Sequence, residues 1–326
     1  MLDAVYGAKP GEDRSFAHGV HLMVHDLSPL FFLLPVLGAF IAFHRGPLPG
    51  EPADGRFLDV DGVRVRFTDT EETHKPVVVM VHGFASTLDA WAPVVPALSK
   101  THRIVRLDLK GFGWSERPPG DYSPQAQAKM LLRFLDLRGV RTFSIVGHSW
   151  GCSIALAATL AAPERVEKLA FYDAWVYEAQ LPVAFHWART AIVGEMMFGT
   201  YYRERPSERM KLAFHDKKHV TPELVAHVTD GLNRPGSTAA ALAAVRGQRF
   251  TSMEARYRTL RQPTLLMWGR EDEVAALRAG QRLAREMPNA RLVVYPSCGH
   301  FPMIEAREAS NHDLASFLAQ SHEQAA

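Results

Sequence analysis

A chain of 326 residues, 47% hydrophobic and 22% charged, has the apolar content for one large α/β domain or two ordinary ones. Its net charge of +2 argues against nucleic acid as a main partner. Two cysteines, Cys152 and Cys298, exclude a disulfide framework and suit a reducing compartment. With no CxxC, no zinc-like His/Cys spacing and no phosphate- or dinucleotide-binding glycine pattern, no metal and no cofactor is implied.

Residues 1–26 show no periodicity. Residues 27–43, from Leu27 to Phe43, read LSPLFFLLPVLGAFIAF, seventeen positions without a charge. That is the short end of the roughly 17–25 apolar residues a membrane span needs. Pro29, Pro35 and Gly38 interrupt it as a straight helix, and it starts too late and lacks the basic n-region of a cleaved signal peptide. The expectation is an apolar arm with two destinations. It makes membrane contact, giving a membrane-associated rather than freely cytoplasmic protein, or it packs on the domain or on a second subunit. Gly46-Pro47-Leu48-Pro49-Gly50-Glu51-Pro52 reads as a linker, so residues 1–55 are taken as arm and linker.

From Arg56 the chain alternates apolar and polar residues on either side of Asp61-Gly62, the pattern of a β-hairpin at a sheet edge. Residues 77–81 (VVVMV) are apolar without alternation, as in a strand buried on both faces. They lead into His82-Gly83-Phe84 and a helix over 88–98. A strand over 104–107 ends at Asp108 and a glycine-rich loop. Ser123-Pro124 opens a helix in the N-cap then N1 arrangement. Residues 142–146 form the strand before Gly147-His148-Ser149-Trp150-Gly151, an alanine-rich helix follows, and 168–172 is the next strand. Strands and helices in alternation imply a mostly parallel sheet flanked by helices.

The alternation stops over 178–258, where only helical patterning is found, with many aromatic and methionine residues read mainly as internal packing. Strand, helix, strand, helix resumes over 264–319. The chain therefore divides into an α/β core, 56–177 and 259–326, interrupted by a helical cap, 178–258. Such a cap sits above the strand C-termini, where open α/β sheets place their sites. The charged run 211–219 (KLAFHDKKH) reads as a solvated face, one that would also attract an anionic membrane surface if the apolar N-terminal arm docks there.

Serine becomes a nucleophile only when a base takes its proton, a carboxylate orients that base, and fixed N–H donors meet the oxyanion. Ser149 falls where a strand turns sharply into a helix, and Gly147 and Gly151 permit the close approach this turn needs. His300, in the loop Tyr295-Pro296-Ser297-Cys298-Gly299-His300-Phe301-Pro302, is the best base. Asp272, in Trp268-Gly269-Arg270-Glu271-Asp272, is the best acid, although aspartate also suits a helix N-cap. Asp173, after the 168–172 strand, is its rival. The chain order Ser149, Asp272, His300 is that of one known triad arrangement.

Five motifs now stand in order: His82-Gly83-Phe84, the loop holding Asp108, Gly111, Gly113 and Ser115, the pentapeptide around Ser149, Trp268-Gly269-x-x-Asp272, and Gly299-His300-x-Pro302. Together they resemble the α/β-hydrolase superfamily, in its capped serine esterase and lipase branch. The resemblance implies a mostly parallel eight-stranded sheet with a helical cap. It also implies Ser149 as nucleophile, His300 as base, Asp272 as orienter, and the backbone N–H groups of Phe84 and Trp150 as oxyanion hole. His82, Gly83, His148 and Asp108 support the site. The expected reaction is cleavage of a small-molecule carboxylic ester with apolar acyl or alcohol groups. A carbon–carbon bond hydrolase or acyltransferase on the same triad, and a non-catalytic binding protein that keeps the pocket, are the alternatives.

Overall fold

The computed structural model describes residues 41–53 and 55–320. Its centre is one eight-stranded sheet: β1 Arg56–Val60, β2 Val63–Asp69, β3 Val77–Val81, β4 Arg103–Leu107, β5 Phe143–His148, β6 Val166–Tyr172, β7 Thr264–Gly269 and β8 Ala290–Tyr295. The strands lie in the order β1-β2-β4-β3-β5-β6-β7-β8. β1 with β2 and β2 with β4 are antiparallel, and every later pairing is parallel. The hairpin lies at the sheet edge as its sequence predicts. Asp61 and Gly62 both take positive φ, 52° and 80°, the turn whose twist matches paired strands.

The unbroken apolar runs are explained by two cores, one on each face of the sheet. In β3, Val79 and Val81 join the core that holds Leu131, Phe134, Ile154 and Phe171, while Val78 and Met80 join the opposite core with Trp91, Leu98, Leu314 and Phe317. Each such aliphatic side chain, fully buried, stabilises the fold by about 1.5–3 kcal/mol, so neither face of the strand tolerates a polar residue. Helices α1 Pro124–Leu137 and α2 Trp150–Ala161 cover the first face. Ser123 caps α1, its hydroxyl accepting from Ala126 N–H at 3.2 Å.

Between β6 and β7 runs the helical insertion: α3 Val183–Ala188, α4 Val193–Tyr201, α5 Pro206–Ala213, α6 Pro222–Asn233 and α7 Ser237–Gly247. It has a core of its own, with Ala188, Phe198, Tyr202, Leu232, Leu242 and Val245, against which Phe84 and Phe185 pack. Helix α8 Leu277–Glu286 lies between β7 and β8, and α9 Arg307–Ala319 follows the last strand.

Two expectations about boundaries are corrected. The helix over 88–98 is instead a 3₁₀ turn, Leu88–Trp91, and a single helical turn, Val95–Leu98. Pro93 and Pro96 each lack an N–H, which breaks the run. The linker also belongs to the compact unit, which begins at Ile41 rather than Arg56. Leu48 is buried, His44 and Arg117 exchange backbone hydrogen bonds, and Arg64 grips Glu51 with both terminal nitrogens. Proline and glycine there shape a turn-rich segment tied to β2 and to the loop after β4. Of the apolar stretch 27–43, residues 27–40 lie outside the described residues. Among the described residues no helix is long and apolar enough to cross a membrane.

Candidate active site

In the strand order, β3 lies between β4 and β5, so the chain changes direction of travel across the sheet at this point. Open α/β sheets hold their ligands in the crevice beyond the strand C-termini at such a switch point. The residues there are His82, directly after β3, and Ser149, directly after β5.

Ser149 takes φ 52° and ψ −123°, a backbone conformation that costs a non-glycine residue about 1–3 kcal/mol. Tertiary contacts hold it there. Its N–H donates to the Tyr172 carbonyl at 2.9 Å, and its own carbonyl accepts from Cys152 and Trp175 N–H groups at 3.0 and 3.1 Å. The flanking glycines are demanded by space. A Cβ on Gly151 would lie 2.3 Å from the Val81 carbonyl oxygen, and one on Gly147 would lie 2.9 Å from Cys152 Cα. Strand β3 and helix α2 could not pass so closely otherwise.

His300 and Asp272 are joined directly: His300 Nδ1 lies 2.8 Å from Asp272 Oδ2, with both side chains buried. The other oxygen of Asp272 accepts from Val274 and Ala275 N–H groups at 2.7 and 2.9 Å. Asp173 lies beside this pair but bonds elsewhere, its Oδ1 accepting from Gly269 N–H at 2.9 Å. One donor atom from each of Asp173, Asp272 and His300 fits within 4.8 Å, the one such trio of metal-ligating types among the described residues. Burial first, and then the charge of Asp272, push the Asp173 carboxyl well above its ordinary pKa. Among the described residues no hydrogen bond joins the Ser149 hydroxyl to His300. Contacts of this kind are often long before substrate binds and tighten in the complex. The link between the two is indirect: His148 Nε2, one residue before Ser149, lies 2.8 Å from the His300 carbonyl oxygen and donates to it.

The predicted supporting residues occupy the same crevice. His82 Nδ1 donates to the Gly83 carbonyl at 2.8 Å, and its Nε2 accepts from Leu109 N–H at 2.9 Å, which defines the neutral tautomer. Burial lowers the pKa of both His82 and His148, most strongly for His148. Gly83 brings its backbone against the turn at Ser149, since a Cβ there would stand 3.1 Å from Ser149 Cβ. Phe84 and Trp150 pack edge to face at 6.2 Å, and neither N–H is engaged in the loop and cap hydrogen bonds of the described residues. Asp108 is fully buried. Its oxygens accept from Leu88 and Trp114 N–H groups at 2.7 Å each, tying the loop after β3 to the loop after β4. Gly113 leaves space for that carboxylate, as a Cβ would approach it to 2.1 Å.

Sequence reasoning missed how the insertion grips the histidine loop. His300 N–H donates to the Ala213 carbonyl at 2.7 Å. Glu305 bridges the two segments, accepting from Gly299 N–H and from Asp216 N–H at 2.8 Å each. Phe214 stacks on Phe301, centroids 4.7 Å apart and planes 16° from parallel. The run 211–219 is therefore not simply a solvated face. Lys211, Lys217 and Lys218 are exposed, but Phe214 at its middle is 2% exposed. An aromatic residue set inside a charged run was the signal available.

The sequence profile of the family described as alpha/beta hydrolase fold matches residues 76–307. A 2-hydroxymuconate semialdehyde hydrolase of Pseudomonas putida is 30% identical over 281 residues, covering 83% of this chain and 96% of that protein. A meta-cleavage product hydrolase of Pseudomonas fluorescens IP01 superimposes with TM-score 0.67 at 25% identity, covering 81% of this chain and 97% of that one. A thermophilic esterase of Thermogutta terrifontis shares the fold with TM-score 0.70 at 24% identity, covering 82% and 98%. The chain belongs to the α/β-hydrolase family.

Proposed function

We propose that this protein is a serine hydrolase that cleaves a carbon–carbon bond next to a ketone carbonyl, in a substrate of the 2-hydroxy-6-oxo-dienoate class. The observation that carries the catalytic part is the buried His300–Asp272 pair, 2.8 Å apart, beside a serine in a strained strand-to-helix turn. The bond type is supported by the relatives. The 2-hydroxymuconate semialdehyde hydrolase and a 2-hydroxy-6-oxo-2,4-heptadienoate hydrolase of Pseudomonas putida align over more than 80% of this chain.

In this reading Ser149 attacks the carbonyl carbon while His300 Nε2 takes its proton. Asp272 keeps the imidazole proton on Nδ1, so that Nε2 faces the serine as a base. The N–H groups of Phe84 and Trp150 receive the oxyanion; losing one such donor costs roughly 10²–10³ in turnover. Carbon is a poor leaving group, and it departs only when its electron pair is accepted by a conjugated carbonyl, as a dienoate provides. His300 returns the proton to the departing carbon, and water then clears the acyl group with His300 again as base. The cap of helices α3 to α7 excludes bulk water: Ser149 is 8% exposed and His300 5%.

A second reading, ester hydrolysis on the same triad, is favoured by the rings around Phe84. Those of Phe112, Trp150, Phe185 and Tyr202 have centroids within 5.6–6.4 Å of it, an apolar shell that suits a hydrophobic acyl group. Purified enzyme offered a 2-hydroxy-6-oxo-dienoate and a series of p-nitrophenyl esters of rising length decides between them. The proposal expects kcat/KM for the dienoate to exceed that for every ester, and both activities to vanish in Ser149→Ala. Turnover of esters alone replaces the bond assignment. Failure of both, with no fluorophosphonate adduct at Ser149, removes the enzyme assignment.

A further inference from the structure

We propose that Asp173 is a positioning residue, held as a neutral carboxylic acid that donates its proton to Asp272, so that this pair of carboxyl groups presents one negative charge to His300. The inference deepens the reading of His300 as base and rests on it.

Donor geometry decides which carboxyl keeps the proton. Asp272 receives three donors: two backbone N–H groups on Oδ1 and His300 Nδ1 on Oδ2. Asp173, fully buried, receives one, from Gly269 N–H on Oδ1, and its Oδ2 has no partner among the described residues. Two carboxylates this close in a dry site cannot both ionise, so the less solvated member holds the proton. An orphaned, buried carboxylate oxygen would be costly, whereas a hydroxyl at that position can donate to Asp272.

The remaining titratable groups around Asp173 agree. The groups whose charges act on it or feel its own are Tyr172 just before it, Cys152 of α2, Asp272 after β7, and Cys298 and Glu305 after β8, with His300 close beside. No Lys or Arg forms an ion pair with it among the described residues. The direction of its pKa, well above the carboxylate range, follows from the same burial. The backbone is committed as well: Asp173 takes φ 46°, and its N–H donates to the Met267 carbonyl at 3.0 Å. This presents the side chain toward β7 and the histidine.

The test compares wild type with D173N and D173L. Asparagine at 173 keeps an acceptor for Gly269 and an N–H donor for Asp272. D173N should therefore hold kcat/KM within about threefold near pH 7, with the acid limb of the pH–rate profile unmoved. D173L removes the donor, leaves more charge on Asp272, and should move that limb up by about half a pH unit. If Asp173 is instead ionised, D173N removes a charge and the limb moves down, which overturns the proposal. A readout independent of turnover is the infrared carbonyl band of a protonated carboxylic acid at pH 7, present in wild type and Ser149→Ala and absent in D173N. Absence of that band from wild type overturns the proposal even if no variant folds. A band without any turnover or fluorophosphonate labelling refutes the enzyme reading and leaves the protonation state standing.

Discussion

Asp272→Asn separates the two aspartates beside His300 on geometric grounds. Oδ1 of Asp272 accepts from Val274 and Ala275 N–H groups, so an asparagine must keep its carbonyl oxygen there. Its NH2 is then forced onto His300 Nδ1, which in wild type lies 2.8 Å from the carboxylate Oδ2. Two donors cannot share that line, so His300 moves its proton to Nε2 and, in the proposed mechanism, meets Ser149 as a donor instead of a base. A wrong tautomer of this kind costs roughly 10⁴ in kcat, or about 5.5 kcal/mol of transition-state stabilisation. Binding is untouched, so KM should stay within a few-fold. The assay is steady-state kinetics beside the fluorophosphonate labelling rate, with a melting curve to show that the fold is intact. A variant that retains more than about a tenth of wild-type turnover refutes this reasoning, as does a tenfold loss in D173N with D272N active.

Other outcomes follow from the packing and charge of the fold. Asp69 is gripped by Arg103 at 2.6 and 2.9 Å and by Arg138 at 2.8 Å, and these hydrogen bonds outweigh its burial to bring its pKa down to about 2. A depressed carboxylate stabilises the fold above its unfolded pKa, so about 2 kcal/mol should be lost as pH falls from about 4 through 2. Asp69→Asn should erase that part of the pH dependence in urea titrations. Gly151→Ala drives a methyl group to 2.3 Å from the Val81 carbonyl and should destabilise by about 1–3 kcal/mol while spoiling turnover, measured by melting and kcat. Cys152 and Cys298 are buried with thiol pKa values pushed up by desolvation, so iodoacetamide at pH 8 should modify them only after denaturation, as mass spectrometry would show. Phe214→Ala should loosen the insertion from the His300 loop, lowering kcat more than it lowers the melting temperature of the sheet domain.

The sequence by itself determined the strand rhythm, the edge hairpin, and the order of Ser149, Asp272 and His300, because each is a local signal. Apolar runs declare strands buried on both faces, Asp61-Gly62 declares its turn, and Gly147 and Gly151 declare a corner where no Cβ fits. Only tertiary structure decided which aspartate bonds His300, since Asp173 and Asp272 both follow parallel strands and differ in the N–H groups that converge on them. It likewise decided that residues 41–53 pack on the core and that Phe214, Ala213 and Glu305 fasten the insertion to the histidine loop. The contacts that fasten the insertion join segments almost 90 residues apart. Periodicity and turn chemistry report only on near neighbours, so such pairings are settled when the sheet brings its strand ends together.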